Sequence, residues 1–330
     1  MAIHSHEYIG IKLVMILKDY IKMEHVRDII EETTSATVCP ISTGFKFLDT
    51  IIGGYYPGEL TTICGEEDCG KTAYVISQLN HIAVDQHIPT LLVMNNMSKS
   101  TFLSCMAAYY CSIETYNVNS ILDSEEHQDT VCKYFEKLKD APLYVISESF
   151  LNSELLTTGI DGFIQAHNIK IAFFDESNGD FDYSRTKQLN VCKLKTLALK
   201  MNISVVATTC IWNDREGMEG VRPFLQDLYF SSELHGHDTV IGLIKYERHY
   251  IFQDDNGRDL HDTIHMEILK RKGRVKKRKF LIPYGYLYYK DYAEKEKEAL
   301  EAFRKSSDYK IDTLIKTLDL TLEKGDILPF

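Results

Sequence analysis

The sequence predicts an α/β fold whose mainly parallel sheet is covered by helices on both faces. Short apolar runs alternate along the chain with helix-length segments, which is the order expected of βαβ units. One glycine-rich loop stands between a predicted strand and a predicted helix, as in phosphate-binding βα units. The 330-residue chain is 44% hydrophobic and 26% charged. This composition is typical of a globular protein and excludes disordered, collagen-like and disulfide-scaffold classes.

The elements follow in a regular order. Eight apolar runs predict strands, at Leu60–Cys64, Thr90–Met94, Leu143–Ile146, Lys170–Phe174, Ser204–Thr208, Thr239–Ile244, Ile264–Leu269 and Lys279–Ile282. Helix-length segments between them include Thr72–Asp85, Lys99–Cys111 and Arg185–Lys200. Apolar residues near 3.6-residue spacing also predict helix before the core. We therefore expect a helical N-terminal extension (residues 1–42), an α/β domain (43–291) and a helical C-terminal tail (292–330).

Charge, hydropathy and cysteine spacing limit the function classes. The net charge is −11, so a general attraction to polyanions is not expected, but eight basic residues lie between Lys270 and Lys279. The most apolar N-terminal stretch, Ile9–Leu17, is interrupted by Lys12 and is shorter than the ~20 residues that cross a bilayer. No membrane association is expected. The eight cysteines are irregularly spaced without a C-x-x-C pair, which argues against a zinc site and a disulfide framework and favours the cytoplasm.

The glycine-rich loop matches G-x-x-x-x-G-K-[ST] at every specified position. Its members are Gly65, Glu66, Glu67, Asp68, Cys69, Gly70, Lys71 and Thr72. In such a P-loop the glycines let backbone amides surround phosphate oxygens, the lysine reaches the β and γ phosphates, and the hydroxyl binds Mg²⁺. The motif predicts binding of ATP with Mg²⁺. Its three acids oppose phosphate charge unless they point to solvent.

Two carboxylates follow the predicted strand Lys170–Phe174. Asp175 stands at the strand end, where a Walker B aspartate holds the water shell of Mg²⁺ opposite the P-loop hydroxyl. The alternative is that Asp175 caps the next segment. Glu176 follows directly, and an Asp-Glu pair at this point places the water-activating carboxylate in many P-loop ATPases. The alternative for Glu176 is a solvated loop acid.

Several further blocks recur in an order that resembles one family. The blocks are Thr43–Asp49, Gly53–Gly54, Pro57–Leu60, Met97–Lys99, Ala141–Tyr144, Asp175, Asn202–Ala207, Arg222–Pro223, Asp227–Leu228, Asp238 and the basic segment at Lys270. Together they resemble the C-terminal motor domain of DnaB-type replicative helicases, over about residues 43–291. The resemblance implies a RecA-like fold, an ATP-hydrolysing hexameric ring that acts on single-stranded DNA, and replication proteins as partners.

The same resemblance suggests roles for individual residues. Lys71 is implied as a catalytic P-loop lysine. The basic run suggests that Lys270, with Arg271 or Lys272, reaches the γ-phosphate of a neighbouring subunit. No arginine near the P-loop or Asp175 can be assigned as a finger that acts within the same subunit. Arg215 and Arg222 flank a segment that would contact DNA in the ring channel. The alternatives for the basic run are a solvated face and contact with DNA phosphates.

One departure from the family leaves the activity open. The catalytic glutamate of the family, at the end of the second strand, is replaced by Asn96, which cannot accept a proton. Glu176 is then the candidate general base. The alternatives are a degenerate nucleotide-binding module that assembles or recruits replication or recombination proteins, and a regulatory ATPase without a DNA role.

Overall fold

The computed structural model describes most of the central part of the chain, namely residues 26, 39–94, 97–111, 125–147, 159–175, 186–210, 236–253, 260, 263–272, 279–285 and 288–289. Two compact units, Met1–Cys39 and Pro40–Phe330, divide the chain, and every element described below belongs to the second. Of the predicted helical N-terminal extension or linker (residues 1–42), the structure describes only residue 26 and residues 39–42, and the last four are not helical. The predicted C-terminal tail lies outside the described residues. The proposed domain limits therefore stay predictions.

The described strands are β1 Leu60–Gly65, β2 Thr90–Met94, β3 Leu143–Ser147, β4 Ile171–Asp175, β5 Ser204–Cys210, β6 Thr239–Ile244, β7 Thr263–Arg271, β8 Lys279–Gly285 and β9 Tyr288–Tyr289. The described helices are α1 Lys46–Ile52, α2 Lys71–Leu79, α3 Lys99–Cys111, α4 Glu125–Asp140, α5 Ile160–Ala166 and α6 Thr186–Met201. A π-helical segment, Asn80–Asp85, continues α2, and a 3-10 turn, Tyr246–His249, follows β6. All eight predicted strands and the three predicted helices named above are confirmed.

The strands form one sheet in the order β3-β2-β4-β5-β1-β6-β7-β8-β9. The first six of these pair in parallel, and β7 to β9 continue the sheet in antiparallel fashion. The carboxyl ends of the parallel strands meet at one edge, here called the carboxyl edge. The amino ends meet at the opposite, amino edge, where β7 also ends because Arg271 pairs with Thr239. The predicted mainly parallel sheet is confirmed.

Alternate residues of β4 enter two separate hydrophobic clusters. Ile171 and Phe173 pack with residues of α2, α3 and α4, whereas Ala172 and Phe174 pack with residues of α5 and α6. Successive side chains of a strand point to opposite faces, so helices cover both faces of the sheet. All four of these residues are fully buried, and each phenylalanine contributes roughly 1.5–3 kcal/mol through burial. None of the described helices is long and apolar enough to cross a membrane.

A buried polar network fixes α2 against the segment that precedes β1. The hydroxyls of Tyr55 and Tyr74 are 2.7 Å apart, and Tyr55 donates to Gln78 Oε1 at 2.9 Å. Gln78 Nε2 in turn donates to the carbonyl oxygen of Thr43 at 3.0 Å. Burial raises the pKa of both tyrosines, which keeps the hydroxyls neutral and able to donate. The network therefore anchors the helix that begins at the P-loop.

Candidate nucleotide-binding site

The P-loop lies at the carboxyl edge, between the end of β1 and the start of α2. A Cβ atom at Gly65 would lie 2.3 Å from Cys69 Sγ and 2.6 Å from the carbonyl oxygen of Leu243. Gly70 has a φ of 92° and Asp68 a φ of 53°, so the loop turns twice through the left-handed region. Glycine is required at position 65 for space and favoured at position 70 for conformation.

Lys71 is folded into the loop that it follows. The residue is 7% exposed, and its Nζ donates to the carbonyl oxygens of Gly65 at 3.1 Å and Glu66 at 2.5 Å. The same atom lies 3.8 Å from Cys69 Sγ. The ammonium therefore contacts uncharged acceptors that phosphate oxygens, which carry negative charge, can replace.

Asp175 joins Lys71 and Thr72 at this edge. The aspartate is 3% exposed, and its Oδ1 accepts a hydrogen bond from Thr208 Oγ1 at 2.7 Å. Burial raises the pKa of Asp175, whereas hydrogen bonds from Thr208 and Thr72 and the charge of Lys71 oppose that rise. A carboxylate beside a hydroxyl provides the oxygen ligands that Mg²⁺ prefers. These residues fit the ion, with Thr72 and Asp175 holding it directly or through water.

The acids of the P-loop have different surroundings. Glu66 is buried, whereas Glu67 and Asp68 are exposed. Arg248 Nη1 lies 3.8 Å from Asp68 Oδ2, because the 3-10 turn follows β6, the parallel neighbour of β1. Burial raises the pKa of the Cys69 thiol to about 11, and the charges of Lys71 and Arg248 oppose that rise. Arg248 is therefore an arginine close to the P-loop of its own subunit, which the sequence alone did not assign.

The signal for Arg248 was present in the sequence but spread over two distant segments. Thr239–Ile244 is predicted as a strand, and a residue shortly after it reaches the P-loop only if that strand lies beside Leu60–Cys64. Strand neighbours depend on tertiary pairing that local patterns do not encode. Sequence reasoning therefore missed this cation.

Arg271 and Lys272 lie at the amino edge, away from the P-loop of their own subunit. Arg271 Nη1 contacts Glu59 Oε2 at 2.5 Å and Thr239 Oγ1 at 3.0 Å. Lys272 Nζ lies 3.0 Å from Glu59 Oε1. Glu59 directly precedes β1, which explains this position. Both cations are separated from the local phosphate site, and a role toward a neighbouring subunit stays a prediction.

Asp238 has a structural role at the same edge. Its Oδ2 accepts from the backbone N–H of Leu60 at 2.8 Å and from Lys195 Nζ at 2.6 Å. Lys195 also donates to the carbonyl oxygen of Gly58 at 2.8 Å. These bonds join the starts of β1 and β6 to α6. Within the described part of the chain, no group of three or more His, Cys, Asp or Glu side chains could hold a metal ion.

Four residues of the predicted site lie outside the described residues: Asn96, Glu176, Arg215 and Arg222. Their roles as replaced base, candidate base and DNA contacts stay predictions. The described site consists of the P-loop, Lys71, Thr72 and Asp175, together with the newly found Arg248.

A parallel sheet with this loop at the end of a central strand and a buried aspartate at the same edge defines an α/β P-loop protein of the RecA-like class. The family model of the DnaB-like helicase C-terminal domain matches residues 40–290. The chain therefore belongs to this family.

Curated relatives and solved structures agree with this assignment. A replicative DNA helicase DnaB of Rickettsia typhi is 23% identical over 254 residues, which cover 72% of this chain and 51% of the relative. The DnaB of Helicobacter pylori is 24% identical over 266 residues, 77% of this chain and 52% of the relative. The DnaB of Nostoc sp. is 25% identical over 219 residues, 64% of this chain and 25% of the relative. The chain thus spans about half, or less, of the length of these relatives.

Among solved structures, a DnaB-like replicative helicase studied with its primase interactions has a TM-score of 0.64 at 16% identity. The alignment covers 86% of this chain and 73% of that helicase. An isolated ATPase domain also has a TM-score of 0.64, at 17% identity, with 81% of this chain and 96% of that domain covered. At these identities the likeness establishes the fold, which confirms the predicted RecA-like core.

Proposed function

We propose that this protein is an ATP-hydrolysing motor subunit that assembles into a hexameric ring and moves single-stranded DNA during replication. The observation that supports the proposal is the meeting of Lys71, Thr72 and Asp175 at the carboxyl edge, in a chain of the DnaB-like family. The chain covers only part of the length of its relatives, so unwinding by the whole protein is also a proposal. The proposed location is the cytoplasm, with replication proteins as partners.

The described residues account for binding of the nucleotide. The P-loop amides and the Lys71 ammonium hold the phosphate oxygens, which replace the carbonyl oxygens of Gly65 and Glu66 as partners of Lys71. Bound Mg²⁺ would neutralise the charge that develops on the β and γ phosphates. Thr208 orients the Asp175 carboxylate through its hydrogen bond, so that the carboxylate faces Thr72 across the site.

Glu176 is proposed as the general base, since Asn96 has no basic form. Glu176→Gln should retain ATP and lose turnover, because a placed base contributes roughly 10²- to 10⁴-fold in rate. Asn96→Glu should raise the rate if it restores the carboxylate of the family. Single-turnover ATPase assays measure both effects. Unchanged turnover in Glu176→Gln would assign the proton to another acceptor.

Arg215 and Arg222 are proposed to contact DNA phosphates in the ring channel. Such contacts weaken with salt because bound counterions are released, with a logarithmic slope of about −0.7 for each phosphate neutralised on a single strand. Fluorescence anisotropy with a labelled oligonucleotide should show a shallower slope for Arg215→Gln and for Arg222→Gln. Identical slopes in all three proteins would remove these residues from the DNA path.

The experiment that tests the whole proposal is an ATPase assay with and without single-stranded DNA. DNA-stimulated hydrolysis by an oligomer is the expected result. Nucleotide binding without turnover would favour a degenerate module that assembles or recruits replication or recombination proteins. A protein that hydrolyses ATP without stimulation by DNA, and that does not bind single-stranded DNA at low salt, would favour a regulatory ATPase.

A further inference from the structure

Two cysteines lie close together at the nucleotide site. Cys69 is a buried member of the P-loop, and Cys210 is the partly exposed last residue of β5. Both side chains are reduced thiols. The P-loop pattern specifies only glycine, lysine and a hydroxyl residue, so nucleotide binding requires neither cysteine. The function proposed above therefore leaves this pair without a role.

The strand register places the two thiols on the same face of the sheet. Gly65 pairs with Cys210 in the parallel ladder of β1 and β5, so the Cys210 side chain points to the face that a Cβ at Gly65 would share. Cys69 Sγ lies in the space of that missing Cβ. Since neighbouring strands are about 4.8 Å apart, the Cys210 thiol lies within reach of the Cys69 sulfur.

The electrostatics of Cys69 agree with this placement. Burial raises the pKa of the Cys69 thiol to about 11, the Lys71 ammonium opposes that rise, and the charge of Cys210 adds to it. The two sulfur atoms are thus close enough to influence each other. Lys71 Nζ lies 3.8 Å from Cys69 Sγ, so a negative charge that develops on this sulfur has a cation beside it.

The same face carries the residues that fit Mg²⁺. Thr208, two residues before Cys210 on β5, donates to Asp175 Oδ1 at 2.7 Å. Alternate residues of a strand share a face, so Cys210 lies beyond the Thr208 hydroxyl at the carboxyl edge. A bond between Cys69 and Cys210 would therefore join the P-loop to β5 directly beside the site of the ion.

We propose that Cys69 and Cys210 form a reversible disulfide that closes the nucleotide site under oxidising conditions. The inference rests on the nucleotide binding proposed above and adds regulation to that site. The bond draws Cys69 toward β5 and displaces the loop amides that surround phosphate. Disulfides in cytosolic proteins are usually transient and catalytic or redox-sensing, which suits a bond of this kind.

The oxidant is hydrogen peroxide. The Cys210 sulfur, which solvent reaches, attacks one peroxide oxygen, so that the O–O bond breaks and a sulfenic acid and one water form. The Cys69 sulfur then attacks the Cys210 sulfur. An S–S bond replaces the S–O bond, and the hydroxyl leaves with the Cys69 proton as a second water. Two thiols lose two electrons to one peroxide, and a dithiol reductant reverses the oxidation by thiol–disulfide exchange.

The first test identifies the bond in the full chain. The protein is treated with hydrogen peroxide, the remaining thiols are blocked, and the unreduced digest is analysed by mass spectrometry. A peptide pair that joins Cys69 to Cys210 should be the main disulfide and should disappear after reduction with dithiothreitol. A digest in which Cys69 keeps its thiol, while Cys210 is oxidised to sulfinic acid or joined to a second chain, would overturn the inference.

The second test measures the consequence for binding by calorimetry. Oxidised wild type should bind Mg²⁺-ATP at least about tenfold more weakly than the same protein after reduction. Cys210→Ser should have the same affinity before and after peroxide treatment, because the pair cannot form. Cys192→Ser is the matched control, since it removes an exposed cysteine of α6 and should lose affinity on oxidation as the wild type does. Full affinity in wild type that contains the disulfide would overturn the inference, as would an equal loss in Cys210→Ser.

Bound nucleotide should protect the pair, because the phosphates hold the loop amides in the position from which the disulfide displaces them. The disulfide should form severalfold more slowly with a non-hydrolysable ATP analogue and Mg²⁺ than without them. Equal rates in a protein saturated with the analogue would separate the bond from the nucleotide site and overturn the inference.

These measurements separate the inference from the proposed function. Reversible loss of ATP binding on oxidation, in a protein that does not hydrolyse ATP, would support the inference and contradict the proposed motor. DNA-stimulated turnover that continues unchanged in protein containing the disulfide would support the motor and overturn the inference. A reduced chain that binds no nucleotide would contradict both.

Discussion

The two edges of the parallel sheet hold their charged groups in different ways. At the carboxyl edge, the Lys71 ammonium contacts carbonyl oxygens, and the buried Asp175 accepts from a threonine hydroxyl. At the amino edge, Lys195 pairs with Asp238 and Arg271 pairs with Glu59. A charged group that contacts neutral dipoles can exchange those contacts for contacts with a charged ligand. The ion pairs at the amino edge instead hold secondary structure elements together. The nucleotide site at the carboxyl edge therefore suits ligand binding, whereas these two ion pairs at the amino edge contribute to stability.

Substitution of Lys71 should have the largest effect on binding. Lys71→Ala removes the cation that contacts phosphate, a charged hydrogen-bonding interaction of about 3 kcal/mol, which corresponds to a roughly 100-fold increase in the Kd for Mg²⁺-ATP. The free energy of unfolding should change by less than about 1 kcal/mol, since the two carbonyl oxygens that lose the ammonium are neutral and water can enter the space that the lysine side chain leaves. Calorimetry and urea denaturation measure the two quantities. Equal ATP affinities would refute nucleotide binding by this loop.

Substitution of Asp238 at the amino edge should have the opposite pattern, a loss of stability with little change in ATP affinity. Asp238→Asn keeps an acceptor for the Leu60 N–H but removes the charge that neutralises Lys195. The two side chains are 25% and 23% exposed, so solvent weakens the pair and the expected loss of stability is about 1.5–2 kcal/mol. The Kd for ATP should stay within about twofold. A large loss of affinity without a loss of stability would contradict the division between the two edges.

Asp175 should make stability and Mg²⁺ binding depend on pH in opposite directions. Burial raises its pKa above the ordinary value of 3.8, so the folded protein binds this proton more tightly than the unfolded chain. Relative to Asp175→Asn, the wild type is most stable below pH 3.8 and loses stability as the pH rises through the folded pKa. The loss is about 1.4 kcal/mol for each pH unit between the unfolded and folded values.

Mg²⁺ and nucleotide require the charged carboxylate, so their affinity should rise over the same pH range in the wild type. In Asp175→Asn the affinity should be roughly tenfold lower at neutral pH, and the pH dependence that is left should be that of the nucleotide phosphates themselves. Urea denaturation and Mg²⁺ titrations between pH 4 and pH 7 give both curves. Parallel stability curves for the two proteins would show that Asp175 has an ordinary pKa.

Local patterns in the sequence predicted one edge better than the other. The P-loop could be predicted because Gly65 to Thr72 are contiguous and their chemistry depends on spacing alone. Asp175 could be placed beside Thr72 because both follow strands whose carboxyl ends share an edge. The different burial of Arg271 and Lys272 could not be predicted, since it depends on a contact between Arg271 and Glu59, 212 positions away.

The helices show the same limit. The predicted helix at Lys99–Cys111 was correct because its apolar residues are dense. The short helices α1 and α5 have seven residues each, about two turns. Isolated helices of that length are marginal in water and depend on tertiary packing. A helix of this length contains too few residues for its 3.6-residue periodicity to be recognised in the sequence.

The smallest expected effect concerns the acids of the P-loop, whose exposed positions make the carboxyl edge sensitive to ionic strength. Asp68→Asn removes a charge that opposes phosphate, and asparagine tolerates the left-handed φ of 53°. It also removes one carboxylate close to Arg248, whose Nη1 lies 3.8 Å from Asp68 Oδ2. We expect the Kd for ATP to fall two- to threefold at low salt, an effect of a size typical for exposed charges.

Glu67→Gln is the matched control for Asp68→Asn, because it removes the same charge from the next exposed position of the loop. If Arg248 turns toward phosphate once Asp68 is neutral, Asp68→Asn should improve binding more than Glu67→Gln. Adding Arg248→Gln should then cancel the difference between them. Raising the salt to about 1 M shortens the screening length to ~3 Å and should remove both gains. Equal gains from the two acids, unaffected by Arg248→Gln, would mean that the loop responds only to its net charge and that Arg248 does not reach the nucleotide.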